Sequence, residues 1–284
     1  MMNKRRQIAG YFFVQWHKMC GGIFYISLLF AIVSGISGCA IPSSGISGVD
    51  SERVMSQEEV EIRRRAHIRL ELAVNYFESG KTTVALDEVK QSLLTDPGYA
   101  DAYNLRGLIY MRLNKNIQAE ESFLRALKEQ PNDFGVLHNY AWLLCQQEKY
   151  GEADLLFDRV LTSPTYTARG KTLMTQGLCR IRAGEKEQAE KSFIKAYELE
   201  PGNPIVAYNI SSLLLQRGEL SRAQFYIRRL NNSDLADAAS LWLGIKVERA
   251  LGDSIALRQL ASQLKRRFSD SREQILYERG AFNE

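Results

Sequence analysis

Residues 100–133, ADAYNLRGLIYMRLNKNIQAEESFLRALKEQPND, read as one unit of a repeating chain. Gly107, Ala119 and Phe123 fall at its centre, and Gln130-Pro131-Asn132 stops it. Outward in both directions these features return every 34 residues. Ala85, Ala119 and Ala153 form one ladder, which continues after a two-residue slip at Ala189 and Ala223. A second small-residue ladder runs Ala73, Gly107, Ala141, Gly177 and Ser211, and a bulky one Val89, Phe123, Phe157, Phe193 and Ile227. Asp96-Pro97-Gly98 and Glu200-Pro201-Gly202 repeat the proline stop in register. A 34-residue period with small residues at helix crossings is the mark of a helix-turn-helix solenoid. Such chains present an extended concave surface, which points to a binding scaffold rather than an enzyme.

The fold class predicted is all-α, a solenoid of about six repeats wound as a right-handed superhelix. Repeats begin near Ala66, Ala100, Phe134, Gly170, Pro204 and Ala238. Ser56-Gln57-Glu58-Glu59 has the pattern of a capping box at the first helix. Turns are expected at Ser79-Gly80, Asn114-Lys115-Asn116, Ala183-Gly184, Arg217-Gly218 and Leu251-Gly252. The third repeat is two residues longer, and the fifth has Leu235 in place of the terminal proline. The sixth loses the small positions, with Ile245 and Leu257 there, as a terminal repeat without a neighbour can. The tail from Ser271 to Glu284 reads as a capping helix.

The first 38 residues differ from the rest. Lys4, Arg5, Arg6 and Lys18 precede an apolar stretch from Gly21 to Val33, which ends at Ser37-Gly38-Cys39. A basic head, a short apolar run and small residues before a cut describe a secretory signal peptide. The organisation predicted is therefore a signal over 1–38, an acylated Cys39 with a Ser- and Gly-rich tether over 39–55, and the solenoid over 56–284. The chain has 37 basic and 33 acidic residues, and the signal holds four basic and no acidic ones, so the mature chain is formally neutral. The pI of 8.8 belongs to the export signal and gives no sign of a nucleic-acid partner. Ile36-Ser37-Gly38-Cys39 resembles the bacterial lipobox, and Ala40 after it, rather than Asp, implies the periplasmic face of the outer membrane. Three acyl chains on Cys39 would hold the protein firmly, where one gives only marginal anchoring.

Strings that suggest chemistry do not hold together as sites. Gly80-Lys81-Thr82 and Gly170-Lys171-Thr172 match the end of a phosphate-binding loop, but Asn75 and Thr165 stand where its first glycine is needed. His67 and His138 have no Cys or carboxylate at metal-ligand spacing, so neither a metal nor a cofactor is expected, and no small-molecule substrate. Cys145 and Cys179 are one period apart, on first helices of adjacent repeats. Because their repeat positions differ by two, the expectation is two separate buried cysteines, with a disulfide as the alternative.

In a repeat of this type, positions two, five, nine and twelve of the first helix face the concave surface. The partner groove expected on that basis is Leu70, Val74 and Phe77, then Leu108 and Met111, then His138 and Trp142, then Met174, Leu178 and Ile181. It is more apolar than a solvated face and suits an amphipathic helix or apolar peptide.

A lipobox, a short tether and six such repeats resemble the type IV pilus biogenesis and stability lipoproteins, the tetratricopeptide-repeat (TPR) secretin pilotins of the PilF/PilW family. The closing stretch, Gln263-Leu264-Lys265-Arg266-Arg267-Phe268-Ser269-Asp270-Ser271, looks like that family's Leu-x-Arg-Arg-Phe-Pro-Asp-Ser segment, with Ser269 in place of proline. The resemblance implies a protein that binds a secretin subunit, carries it to the outer membrane and promotes its multimerisation. A periplasmic scaffold for another envelope assembly is the second reading, and an enzyme or its regulatory subunit the third.

Overall fold

The computed structural model describes residues 56–283. Among them the chain is all-helical, and twelve of its thirteen helices form six antiparallel hairpins. These are α1 (Gln57–Glu78) with α2 (Thr82–Thr95), α3 (Ala100–Arg112) with α4 (Asn116–Glu129), and α5 (Phe134–Gln146) with α6 (Tyr150–Thr162). Then follow α7 (Arg169–Arg182) with α8 (Lys186–Leu199), α9 (Pro204–Gln216) with α10 (Leu220–Asn231), and α11 (Ala238–Leu251) with α12 (Ser254–Arg267). The short α13 (Arg272–Glu278) packs on both α11 and α12. The signal, Cys39 and the tether lie outside the described residues.

Each hairpin is built on one contact that the ladders specify. Gly107 faces the ring of Phe123, and a Cβ there would come within 2.5 Å of it; at Gly177 the distance to Phe193 is 2.7 Å. Phe123, Phe157 and Phe193 are fully buried, as are Val89 and Ile227 in the same register. The sixth hairpin inverts the sizes: Ile245 is buried on α11 and Ala261 on α12, within one core cluster. Total volume is kept, which is what core packing demands.

The turn inside each hairpin needs one residue in the left-handed region. Gly80, Asn114, Glu148, Gly184, Gly218 and Gly252 supply it, with φ between 56° and 80°. Glycine and asparagine take this conformation readily, and glutamate does not. The Glu148 turn was therefore invisible in the sequence. Two extra residues of the third repeat fall in the longer link between α6 and α7, where Arg169 donates to the carbonyls of Leu161 and Ser163.

First helices also pack on one another along the solenoid: α3 on α1 and α5, α5 on α7, α9 on α11. They form the inner layer, and the second helices the outer. Cys145 and Cys179 join α5 to α7 in a disulfide, with Cα atoms 5.8 Å apart. This corrects the expectation of two separate thiols. Equivalent positions in neighbouring repeats point the same way and cannot meet; side chains that face each other across the seam must stand at different positions. His138 and Thr172, also 34 residues apart, meet by the same rule through a 2.8 Å hydrogen bond.

The bridge closes a loop of about 34 residues, so a Cys145→Ala/Cys179→Ala chain should lose about 4 kcal/mol in urea unfolding. Equal midpoints, with free thiols in the denatured wild type, would contradict it. At the strained turn, Glu148→Gly should raise the stability by about 0.5–1 kcal/mol. A lowered midpoint would show that Glu148 is not strained.

Candidate functional site

The inner layer is where the ten proposed groove residues fall, and the structure divides them into two sets. Val74, Phe77, Leu108, Met111, Trp142, Leu178 and Ile181 are half-buried on the inner helices. Leu70, His138 and Met174 are instead buried, at 7 %, 5 % and 4 % exposure, which corrects their assignment as open groove residues. Counted from the repeat starts, all three stand at position five. In these three repeats that position is taken up by the seam between successive first helices, whereas positions nine and twelve are half-buried there, except Cys145, the disulfide cysteine at position twelve of the third repeat. Leu70 joins the core of the first two repeats, and Met174 that of the fourth and fifth.

None of the ten is among the strongly exposed apolar side chains. Several of those lie on outer helices, including Leu94, Ile117, Leu155 and Phe225. What keeps the inner face from being bare is cationic cover. The Arg112 guanidinium lies 3.5 Å from the centre of the Phe77 ring and donates to the Phe77 carbonyl. Arg182 lies 5.2 Å from the Trp142 ring. Each cation comes from the next repeat's first helix, so each aromatic is capped across a seam by a cation–π contact.

The charge of this face is one-signed in its middle. Helices α5, α7 and α9 contain no Asp or Glu. Burial pulls the Lys171 ammonium down from its ordinary range, and burial does the same to Arg112. Arg180 turns outward to Asp154 on α6 through two bonds of 2.9 and 2.8 Å, which clasp the third and fourth repeats together. The groove is therefore apolar and cationic together. The sequence reading took in its apolar half and missed the second, although Arg112 and Arg182 both stand at position thirteen.

The two described histidines are hydrogen-bonded between repeats. His67 Nδ1 lies 2.9 Å from the Tyr99 hydroxyl, and His138 Nδ1 meets Thr172 Oγ1. Among the described residues no group of three or more His, Cys, Asp or Glu could hold a metal ion. Burial, with the Lys171 charge second, lowers the His138 imidazole to about 3.

The chain's tetratricopeptide repeats are matched by family descriptions over residues 100–133, 122–154 and 170–203. The type IV pilus assembly protein PilF of Pseudomonas aeruginosa is 26% identical over 247 residues, which cover 87% of this chain and 95% of PilF. The crystal structure of PilW, a widely conserved type IV pilus biogenesis factor, is 27% identical with a TM-score of 0.68, covering 75% of this chain and 98% of PilW. A structure of Pseudomonas aeruginosa PilF gives the same TM-score of 0.68 at 26% identity, over 77% of this chain and 99% of PilF.

Between pH 6.5 and about 3 the unfolded chain binds a proton that folded His138 refuses. Stability is therefore full above pH 6.5 and falls as the pH drops toward 3. Between pH 7 and 4.5 the wild type should lose about 2–3 kcal/mol more than His138→Gln. Equal losses in urea titrations of the two would exclude His138 as the titrating group.

Proposed function

We propose that this chain, a tetratricopeptide-repeat protein homologous to PilF and PilW, serves type IV pilus biogenesis as a pilotin. In this reading it is held by acyl chains on Cys39 at the periplasmic face of the outer membrane. Its inner face binds an apolar segment of a secretin subunit, brings the subunit to the membrane and favours its multimerisation. The observation that carries the proposal is the row of half-buried apolar side chains at positions nine and twelve, from Val74 to Ile181, on a chain alignable with nearly all of PilF.

The physics of the task fits these parts. A secretin segment that will end inside an oligomer or a bilayer is apolar and prone to aggregate while it waits. A groove of half-buried Phe77, Met111, Trp142 and Leu178 covers such a segment while exposing only part of its apolar surface when empty, since Arg112 and Arg182 already shade Phe77 and Trp142. A Ser- and Gly-rich tether gives reach from the membrane. The Cys145–Cys179 bridge suits an oxidising compartment. No bond needs to be made or broken by the solenoid itself, and the histidines are engaged in its packing.

In a Cys39→Ala strain, the protein should move from the membrane to the soluble fraction and secretin multimers, seen in unheated samples, should leave the outer membrane. Relocation of the protein with normal secretin multimers would overturn the pilotin reading and leave a scaffold for another envelope assembly. A protein that stays in the membrane fraction would overturn the anchor.

A further inference from the structure

The last repeat's inner face is not open, because the chain's own end covers it. Lys246 and Arg249 stand at positions nine and twelve of α11, which line the groove elsewhere, and Trp242 at position five, which the seam buries in the first, third and fourth repeats. Trp242 and Arg249 meet the tail directly. Phe282 stacks on Trp242 with ring centres 5.2 Å apart, and the Arg249 guanidinium lies 3.9 Å from the Phe282 ring. Lys246 Nζ lies 5.6 Å from the Trp242 ring, and Tyr277 meets Phe282 edge-on.

The cover fits imperfectly in its polar groups. Trp242 is only 5 % exposed, yet its Nε1 has no hydrogen-bond partner. Gln274, buried on the tail side, spends its amide nitrogen on Glu278 and leaves its Oε1 without one. Buried polar groups in a permanent interface are normally satisfied. An unpaired Trp242 Nε1 in the wall that the Phe282 ring covers, with a second orphan on the covering segment's own helix, marks a seat that another occupant fills better.

We propose that the inner face of α11 is a second docking site, which the C-terminal segment occupies in the free protein and yields to a partner of like chemistry. The occupant is an amphipathic helix carrying carboxylates and followed by an aromatic residue. Its ring takes the Phe282 seat against Trp242, a carboxylate or carbonyl accepts from Trp242 Nε1, and its negative charge meets Lys246 and Arg249. The tail shows part of this pattern in its own residues: Glu273 and Glu278 flank Leu276 and Tyr277, and Phe282 follows after Gly280, while Arg272 and Arg279 balance the two carboxylates, so that an occupant without those arginines meets Lys246 and Arg249 with a net charge the tail lacks. This site is independent of which envelope assembly the protein serves.

The probe is a dye-labelled synthetic peptide of residues 271–283, SREQILYERGAFN, titrated against the full mature chain. Wild type should bind it weakly, because the seat is filled. The variant Tyr277→Ala/Phe282→Ala should bind at least tenfold tighter, and adding Trp242→Ala to that variant should cancel the gain. Saturating peptide should speed amide exchange in the wild-type tail. The proposal is overturned if the double variant binds no better than wild type, or if its tail amides stay as protected as before. It is equally overturned if saturating peptide leaves wild-type tail exchange unchanged, for the tail is then a fixed cap.

Discussion

Everything in this solenoid depends on a large side chain of one helix resting against a small residue of the other, the large one on the second helix in the first five hairpins. Where Phe123 lies on Gly107 and Phe193 on Gly177, no Cβ can be added without moving the ring. The contact sets how closely the two helices approach, and therefore how each hairpin presents its surface to the next. Repeat architecture turns this local distance into a long-range shape, since every error would be copied along the stack. The sixth hairpin keeps the distance by exchanging roles, with Ile245 on the first helix and Ala261 on the second. A terminal repeat can accept that inversion because only one side of it must match a neighbour.

The stacking then decides which residues are available for binding. First helices pack on each other and bury position five, so Leu70, His138 and Met174 hold the seam. Apart from Cys145, positions nine and twelve of the first four repeats remain half-covered, and cations from the following repeat lie over Phe77 and Trp142 among them. The inner surface is thereby kept soluble without becoming hydrophilic. An apolar segment that carries negative charge would displace the cations from the rings and keep their charge neutralised, so binding costs no unpaired charge. The absence of carboxylates from α5, α7 and α9 prevents repulsion of such a segment along the middle of the face.

The repeat starts and the small and bulky ladders were legible in the sequence because each is a residue-size requirement at a fixed interval. The turn at Glu148 was not, since glutamate carries no signal for a left-handed backbone. The disulfide was judged by comparing repeat positions, and that comparison misleads across a seam, where facing residues are never equivalent. The groove was legible as a set of helices and only partly as side chains. Periodicity places a residue on the inner layer but does not say how near the next helix comes, which is what separates Met174 from Leu178. The tail's position over Trp242 depends on a chain reversal at Gly280 that no periodic pattern encodes.

The most direct test of the central claim, that the inner face is where the client binds, is photocrosslinking in living cells. A benzophenone amino acid would be placed in turn at Phe77 and Leu178 on the inner layer, and at Ile117 and Leu155 on the outer helices. Adducts with the secretin from the inner positions alone are the result predicted. Secretin adducts from the outer positions, with none from Phe77 or Leu178, would place the binding surface on the other side of the solenoid and contradict the account.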